Sequence, residues 1–257
     1  MQGGLWMKVG IIGSGAIAQF LLSGDIMIKS ILVRNKKRYE WIEKECGVQL
    51  YDDIDDFLKS NIDIVVEAAN IEAVHHYLPK ILESKDAIII SIGAFADESF
   101  TVQMFEQAQK NERQIHLPAG AIGGLDLLQN ANSLGEIEEV KITTIKPAHT
   151  LTDDVLIEEK TIFSGTAKEA IQKFPKNINV SIILSLTGLG VDRTKVEIIA
   201  DPKAKKNQHR IYISGAFGTS TITVMNEPMK QNPKTSYLAA LSVLGTLQRL
   251  MNPFQLG

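Results

Sequence analysis

Apolar and polar positions keep one rhythm over the first half of this chain and another over the second. Val9, Ile11 and Ile12, then residues 30–33 (SILV), 62–68 (IDIVVEA), 87–91 (AIIIS) and 114–117, form short apolar runs rich in β-branched side chains. Runs of that length and composition predict strands buried on both faces. Between them, residues 52–59, 71–84 and 99–110 place apolar residues at helical spacing. Strands alternating with helices predict an α/β fold with a doubly wound parallel sheet, whose ligands sit at the carboxyl ends of the strands.

From Glu138 the period changes to two. Val140, Ile142 and Thr144 alternate with Lys141 and Thr143, the pattern of a half-buried strand, and further strands are expected at 156–163, 195–200, 209–214 and about 221–225. A nearly uncharged helix over 179–189 is apolar enough to lie buried across a sheet. The second lobe therefore reads as a mixed-sheet α+β domain. Leu238, Leu241, Leu244 and Leu247 give the last segment, 236–251, a helix that closes a core. The expected division is a dinucleotide-binding domain over 1–120, a catalytic and dimerisation domain over 121–234 and the closing helix over 235–257, with the site in the cleft between packed lobes.

The first strand runs into Gly13, Ser14, Gly15, Ala16, Ile17 and Ala18, a G-x-G-x-x-A turn that opens a helix. Gly13 permits the tight turn, Gly15 lets a pyrophosphate approach bare backbone, and Ala18 lets helix and strand pack closely, which is the Rossmann arrangement. Free N–H groups at the helix start, including those near Ala16 and Ile17, favour a phosphate. Ala69, just past the IDIVVEA strand, falls at the same end of the sheet. An acidic residue about 20 positions beyond the glycines serves the ribose of NAD, whereas a basic one suits the 2′-phosphate of NADP. Arg34 stands there, followed by Asn35, Lys36, Lys37 and Arg38, which favours NADP or tolerance of both cofactors.

Composition narrows the picture by exclusion. With 257 residues, 44% of them hydrophobic, the chain can bury the cores of two lobes. A net charge of -3 and a pI near 6.0 leave no electrostatic footprint for nucleic acid. No apolar run approaches the roughly 20 residues of a membrane span, and MQGGLW lacks the regions of a signal peptide, so the expected compartment is the cytoplasm. Cys46 stands alone and reads as a small structural residue. His75 and His76 are adjacent and cannot face one metal from a helix, and no other spacing suggests a ligand set. By strand pattern His209 shares a face with Ile211 and Ile213, which on its own reads as a core histidine.

A set of longer motifs points further: SIGAFAD at 91–97, AGAIGGLD at 119–126, FSGTAKEAI at 163–171, FPKNINV at 174–180, NQHRI at 207–211 and NPKTS at 232–236. With these the chain resembles the L-aspartate dehydrogenases. The resemblance implies a Rossmann domain followed by a mixed-sheet catalytic domain, a homodimer or larger oligomer, and oxidation of L-aspartate to iminoaspartate with NAD or NADP, the product then hydrolysing to oxaloacetate and ammonia or feeding NAD biosynthesis. It implies His209 of NQHRI as the catalytic residue and Ala121 and Asn179 as cofactor contacts near the nicotinamide. A dicarboxylate substrate needs cationic and N–H partners. Lys234, Thr235, Ser236 and Lys146 are the candidates, although Thr235 and Ser236 read equally well as caps of the last helix. Glu67 at a strand end reads as a residue ordering the nicotinamide edge or as an ordinary acid near a helix start. The alternatives are a two-lobe dehydrogenase of another small acid, of homoserine or dihydrodipicolinate type, and a non-catalytic NADP-binding sensor.

Overall fold

The computed structural model describes residues 7–174 and 179–254, and these fall into two compact units. The first comprises Met1–Pro118 together with Ala240–Leu256. Its six strands are β1 (Val9–Ile12), β2 (Ile28–Leu32), β3 (Gln49–Tyr51), β4 (Ile64–Glu67), β5 (Asp86–Ile89) and β6 (Ile115–His116). They lie in the order β3-β2-β1-β4-β5-β6, all parallel. Helices α1 (Ala16–Leu22), α2 (Glu40–Cys46), α3 (Ile54–Lys59), α4 (Ile71–Ile81) and α5 (Glu98–Lys110) connect them. Strand order reverses at β1, whose neighbours are β2 and β4, and such a switch point opens a crevice at the strand carboxyl ends. Every residue of β1 and β4 is buried, as expected of strands covered on both faces.

The alternating strands and helices appear as expected, with two exceptions that have a physical reason. Strand β3 escapes the hydrophobic pattern because it is three residues long and buries only Leu50. Cys46 is exposed at the end of α2 and packs into no core, correcting its structural reading.

The second unit, Ala119–Ala239, carries α6 (Leu125–Ala131), β7 (Ile137–Pro147), β8 (Lys160–Thr166), α7 (Ala167–Lys173), α8 (Asn179–Thr187), β9 (Lys195–Asp201), β10 (Asn207–Gly215) and β11 (Gly218–Asn226). Its sheet order is β11-β10-β7-β9-β8, with β7 and β9 parallel and the other pairs antiparallel. Helix α8 is buried from Ser181 to Ser185 and packs against α6 and α7. The strand expected at 156–163 lies at 160–166 instead. Val155 and Ile157, whose apolar character suggested it, are 97% and 87% exposed in the preceding loop.

A short ladder, β12 (Pro228–Met229) with β13 (Asn232–Ser236), follows β11. The NPKTS segment is thus a strand, and α9 (Tyr237–Met251) starts immediately after Ser236. Val243 and Leu247 of α9 join Val9, Ile11, Ile31 and Val66 in the core of the first unit, so the last helix does close a core.

Candidate active site

In the first unit the carboxyl ends of β1, β2 and β4 enclose a cavity of about 840 Å³. Gly13, Gly15, Arg34 and Ala69 all line it, which brings four of the residues singled out in the sequence to one place. Gly13 has φ +100, and a Cβ there would come within 2.8 Å of the Ala68 carbonyl oxygen, so the tight turn requires glycine. Gly15 differs: its nearest neighbour would be 3.9 Å away, ordinary contact. Protein packing does not demand glycine at that position, and bare backbone facing the cavity is what a closely approaching phosphate needs. Ala16 and Ile17 begin α1, and the Ile17 side chain packs on the core while its backbone stays at the turn.

Arg34 is exposed immediately beyond β2, and Arg38 and Tyr39 line the same cavity. Asn35 holds the turn between them, its Oδ1 accepting from the Arg38 backbone N–H at 3.4 Å. The Arg38 guanidinium sits 5.6 Å from the centre of the Tyr39 ring. Among the lining residues the one carboxylate is Glu72 in α4, so the β2 side of the cavity is cationic.

Beneath the rim lies Glu67, 1% exposed at the end of β4. Its Oε1 accepts from the Ala69 N–H at 2.7 Å and the Ser91 hydroxyl at 2.9 Å, and its Oε2 accepts from the Ser91 N–H at 3.0 Å. Burial raises its pKa, while the hydrogen bonds from Ala69 and Ser91 oppose that rise. One buried carboxylate thus fixes the backbone at Ala69 and ties the ends of β4 and β5 together. Glu67→Gln should lower stability by about 1–3 kcal/mol, because the new amide turns an N–H group toward existing donors; thermal unfolding of the two proteins reads the loss.

In the second unit the decisive strand is β10. His209 is 6% exposed and shares its face with buried Ile211 and Ile213, as the alternation predicts. It pairs across the ladder with Thr144 of β7, and the Thr144 Oγ1 lies 3.0 Å from His209 Nδ1. No buried side-chain nitrogen or oxygen among the described residues lacks a hydrogen-bond partner. The bond to Thr144 engages Nδ1 and leaves Nε2 outside that contact. Lys146, two residues beyond Thr144, falls on the same face. Burial lowers the pKa of Lys146. Burial, and then the charge of Lys146, lower that of His209 to about 4, so the imidazole is uncharged at neutral pH.

Ala121 lies in the turn before α6, where its carbonyl accepts from the Asn226 side-chain amide at 3.0 Å. Asn226 also accepts, through its Oδ1, the Ser236 hydroxyl proton at 2.7 Å. Thr235 Oγ1 accepts from the Asn232 side chain at 3.0 Å, which turns its own proton elsewhere. The Lys234 side chain lies outside the described residues, as do residues 175–178 of the FPKNINV motif. Asn179 is exposed at the start of α8. Asn226 was not legible in the sequence: an asparagine at the end of an alternating strand carries no signal of its own, and its partners lie 105 and 10 residues away.

With this geometry in view, the chain can be set beside known proteins. Residues 126–250 match the family model described as aspartate dehydrogenase, C-terminal, and residues 9–118 match the NAD-binding domain of homoserine dehydrogenase. An L-aspartate dehydrogenase of Methanococcus maripaludis is 40% identical, the match covering 98% of this chain and 99% of that protein. The chain belongs to the L-aspartate dehydrogenase family. A second member, from Methanocaldococcus jannaschii, is 37% identical over the same shares of both chains. The solved structure of aspartate dehydrogenase from Thermotoga maritima superposes with a TM-score of 0.84 at 34% identity, covering 98% of this chain and 99% of that one. A homoserine dehydrogenase from Thiobacillus denitrificans, 15% identical with a TM-score of 0.63 over 95% of this chain and 73% of that one, shares the fold. For this family member the fold is the expected one: a Rossmann-type parallel sheet and a separate mixed sheet. Among the described residues no helix is long and apolar enough to cross a membrane, and no cluster of His, Cys, Asp and Glu could hold a metal ion.

Proposed function

We propose that the protein oxidises L-aspartate to iminoaspartate using NAD or NADP, in a cytoplasmic homo-oligomer. The observation that carries the reading is the face of the second sheet on which an uncharged imidazole, His209, anchored at Nδ1 by Thr144, stands beside Lys146. The glycine turn, Ala16, Ile17, Ala69, Ala121 and Asn179 are assigned to the cofactor, with Arg34 on its 2′-phosphate. When bound, the nicotinamide accepts hydride from the substrate Cα.

The remaining work belongs to the chain. Aspartate enters as an ammonium ion, and hydride can leave Cα only after the nitrogen has lost a proton. His209 Nε2 takes that proton, which requires Nδ1–H to donate to Thr144 Oγ1. An imidazole held near pH 4 is a feeble base, but a substrate carboxylate set against Lys146 offsets the charge that helps hold it there. The ring therefore gains basicity once substrate is in place. Lys146, Lys234, Thr235 and Ser236 are assigned to the two carboxylates, Thr235 being the better hydroxyl donor because the Ser236 proton is directed at Asn226. Water then attacks the imine, giving oxaloacetate and ammonia, unless iminoaspartate passes on to NAD biosynthesis.

Formation of reduced nicotinamide with aspartate, and its absence with homoserine, tests the assignment; no reduction with aspartate over a range of pH overturns it. Thr144→Val should lower kcat roughly tenfold and leave KM for aspartate within about twofold, since it removes only the group that selects the imidazole tautomer. Steady-state kinetics at saturating cofactor measure both.

A further inference from the structure

Asn226 is the last residue of β11, 5% exposed, and it touches two segments that are far apart in sequence. Its Nδ2 donates to the Ala121 carbonyl at 3.0 Å and its Oδ1 accepts from the Ser236 hydroxyl at 2.7 Å. The amide cannot turn over, because a flip would set its oxygen against the Ala121 carbonyl. The Ala121 turn is pinned to β11 at a second point: Gly124 has φ +78, and a Cβ there would come within 2.0 Å of Ile222 Cδ1, four residues before Asn226 on the same face. Ser236 is held on its other side by the ladder, where it pairs with Pro228. The turn that precedes α6 and the strand that precedes α9 therefore meet in one side chain.

We propose that Asn226 is a positioning residue that couples the Ala121 turn to the β13 strand, so that cofactor affinity depends on a hydroxyl in a strand assigned to the substrate. This rests on the assignment of Ala121 to the cofactor. Its distinctive consequence is that Ser236→Ala weakens cofactor binding: with its hydroxyl partner gone, the amide is free to rotate away from Ala121. Asn226→Asp keeps an acceptor for Ser236 and loses the N–H aimed at the Ala121 carbonyl.

The test measures NADP and NAD binding directly, by calorimetry without aspartate, so its outcome does not depend on which amino acid is oxidised. Loss of one buried neutral hydrogen bond predicts a Kd about fivefold higher in Ser236→Ala, and Ser236→Thr, which retains the hydroxyl, should restore affinity to within about twofold. Asn226→Asp should bind at least tenfold more weakly, or roughly so, at pH 8, and recover as the pH falls and a protonated carboxyl can again donate to Ala121. Unchanged Kd in Ser236→Ala and a pH-independent Kd in Asn226→Asp, with unfolding temperatures like the parent's, would overturn the coupling. Ala121→Leu separates the two assumptions. If it leaves Kd unchanged, the turn does not meet the cofactor; if it weakens binding while the Asn226 and Ser236 variants do not, the turn is a contact and Asn226 does not govern it.

Discussion

Replacing His209 with alanine lowers aspartate turnover by on the order of a hundredfold or more while the chain stays folded. The expectation rests on position and charge together. The ring is 6% exposed, is anchored at Nδ1 by Thr144, which leaves Nε2 outside that contact, and lies on the face that also carries Lys146. Removing it deletes the uncharged imidazole from that face. Single-turnover kinetics with the variant would show slow reduction of the nicotinamide with little change in cofactor affinity, and near-normal turnover would take His209 out of the reaction.

The same residue should leave a mark on stability. Its native pKa is about 4, below the 6.5 of an unperturbed histidine, so the folded chain resists protonation that the unfolded chain accepts. A depressed native value means a contribution present above pH 6.5 and lost as pH falls from there toward 4. In full it amounts to about 3 kcal/mol at most. Urea unfolding at a series of pH values should show wild-type stability declining through that window more steeply than that of a His209→Gln variant.

Converting Arg34 to aspartate should shift cofactor affinity away from NADP and toward NAD. Loss of a charge-assisted contact, with a carboxylate placed where a phosphate would sit, predicts NADP affinity lower by roughly a hundredfold, with NAD affinity equal or improved. Arg38 lines the same cavity and lies on the same side, so Arg38→Ala should lose NADP affinity in the same direction by a smaller factor. Titration of both cofactors, followed by protein fluorescence, separates these outcomes. Equal losses for NADP and NAD in Arg34→Asp would show that Arg34 does not read the 2′-phosphate. Glu72 of α4, which also lines the cavity, is unaltered in this experiment.

How far the chain could be read before its structure depended on the range of the forces involved. The parallel sheet was legible because Val9, Ile11, Val65 and Val66 are buried on both faces and so form unbroken apolar runs. The glycine turn was legible because one local backbone shape demands glycine at Gly13. Edges were the weak point. Gln49–Tyr51 pairs on one side only and buries one residue, while Val155 and Ile157 are apolar and exposed, so hydrophobicity there did not track burial. NPKTS carries capping residues before a helix, yet its backbone is taken by the ladder with Pro228–Met229.

The amino-acid sequence by itself determined the alternation of buried strands and helices in the first half, the glycine turn, the cationic end of β2 and the identity of His209 as the residue to watch, because each is written in a local pattern or in a motif. Only the tertiary structure decided that this histidine is uncharged, that Thr144 holds one of its nitrogens, that Glu67 ties two strand ends, and that Asn226 joins Ala121 to Ser236. Those depend on desolvation and on hydrogen bonds between residues 10 to 105 positions apart, which exist only once the fold has brought distant segments of chain together.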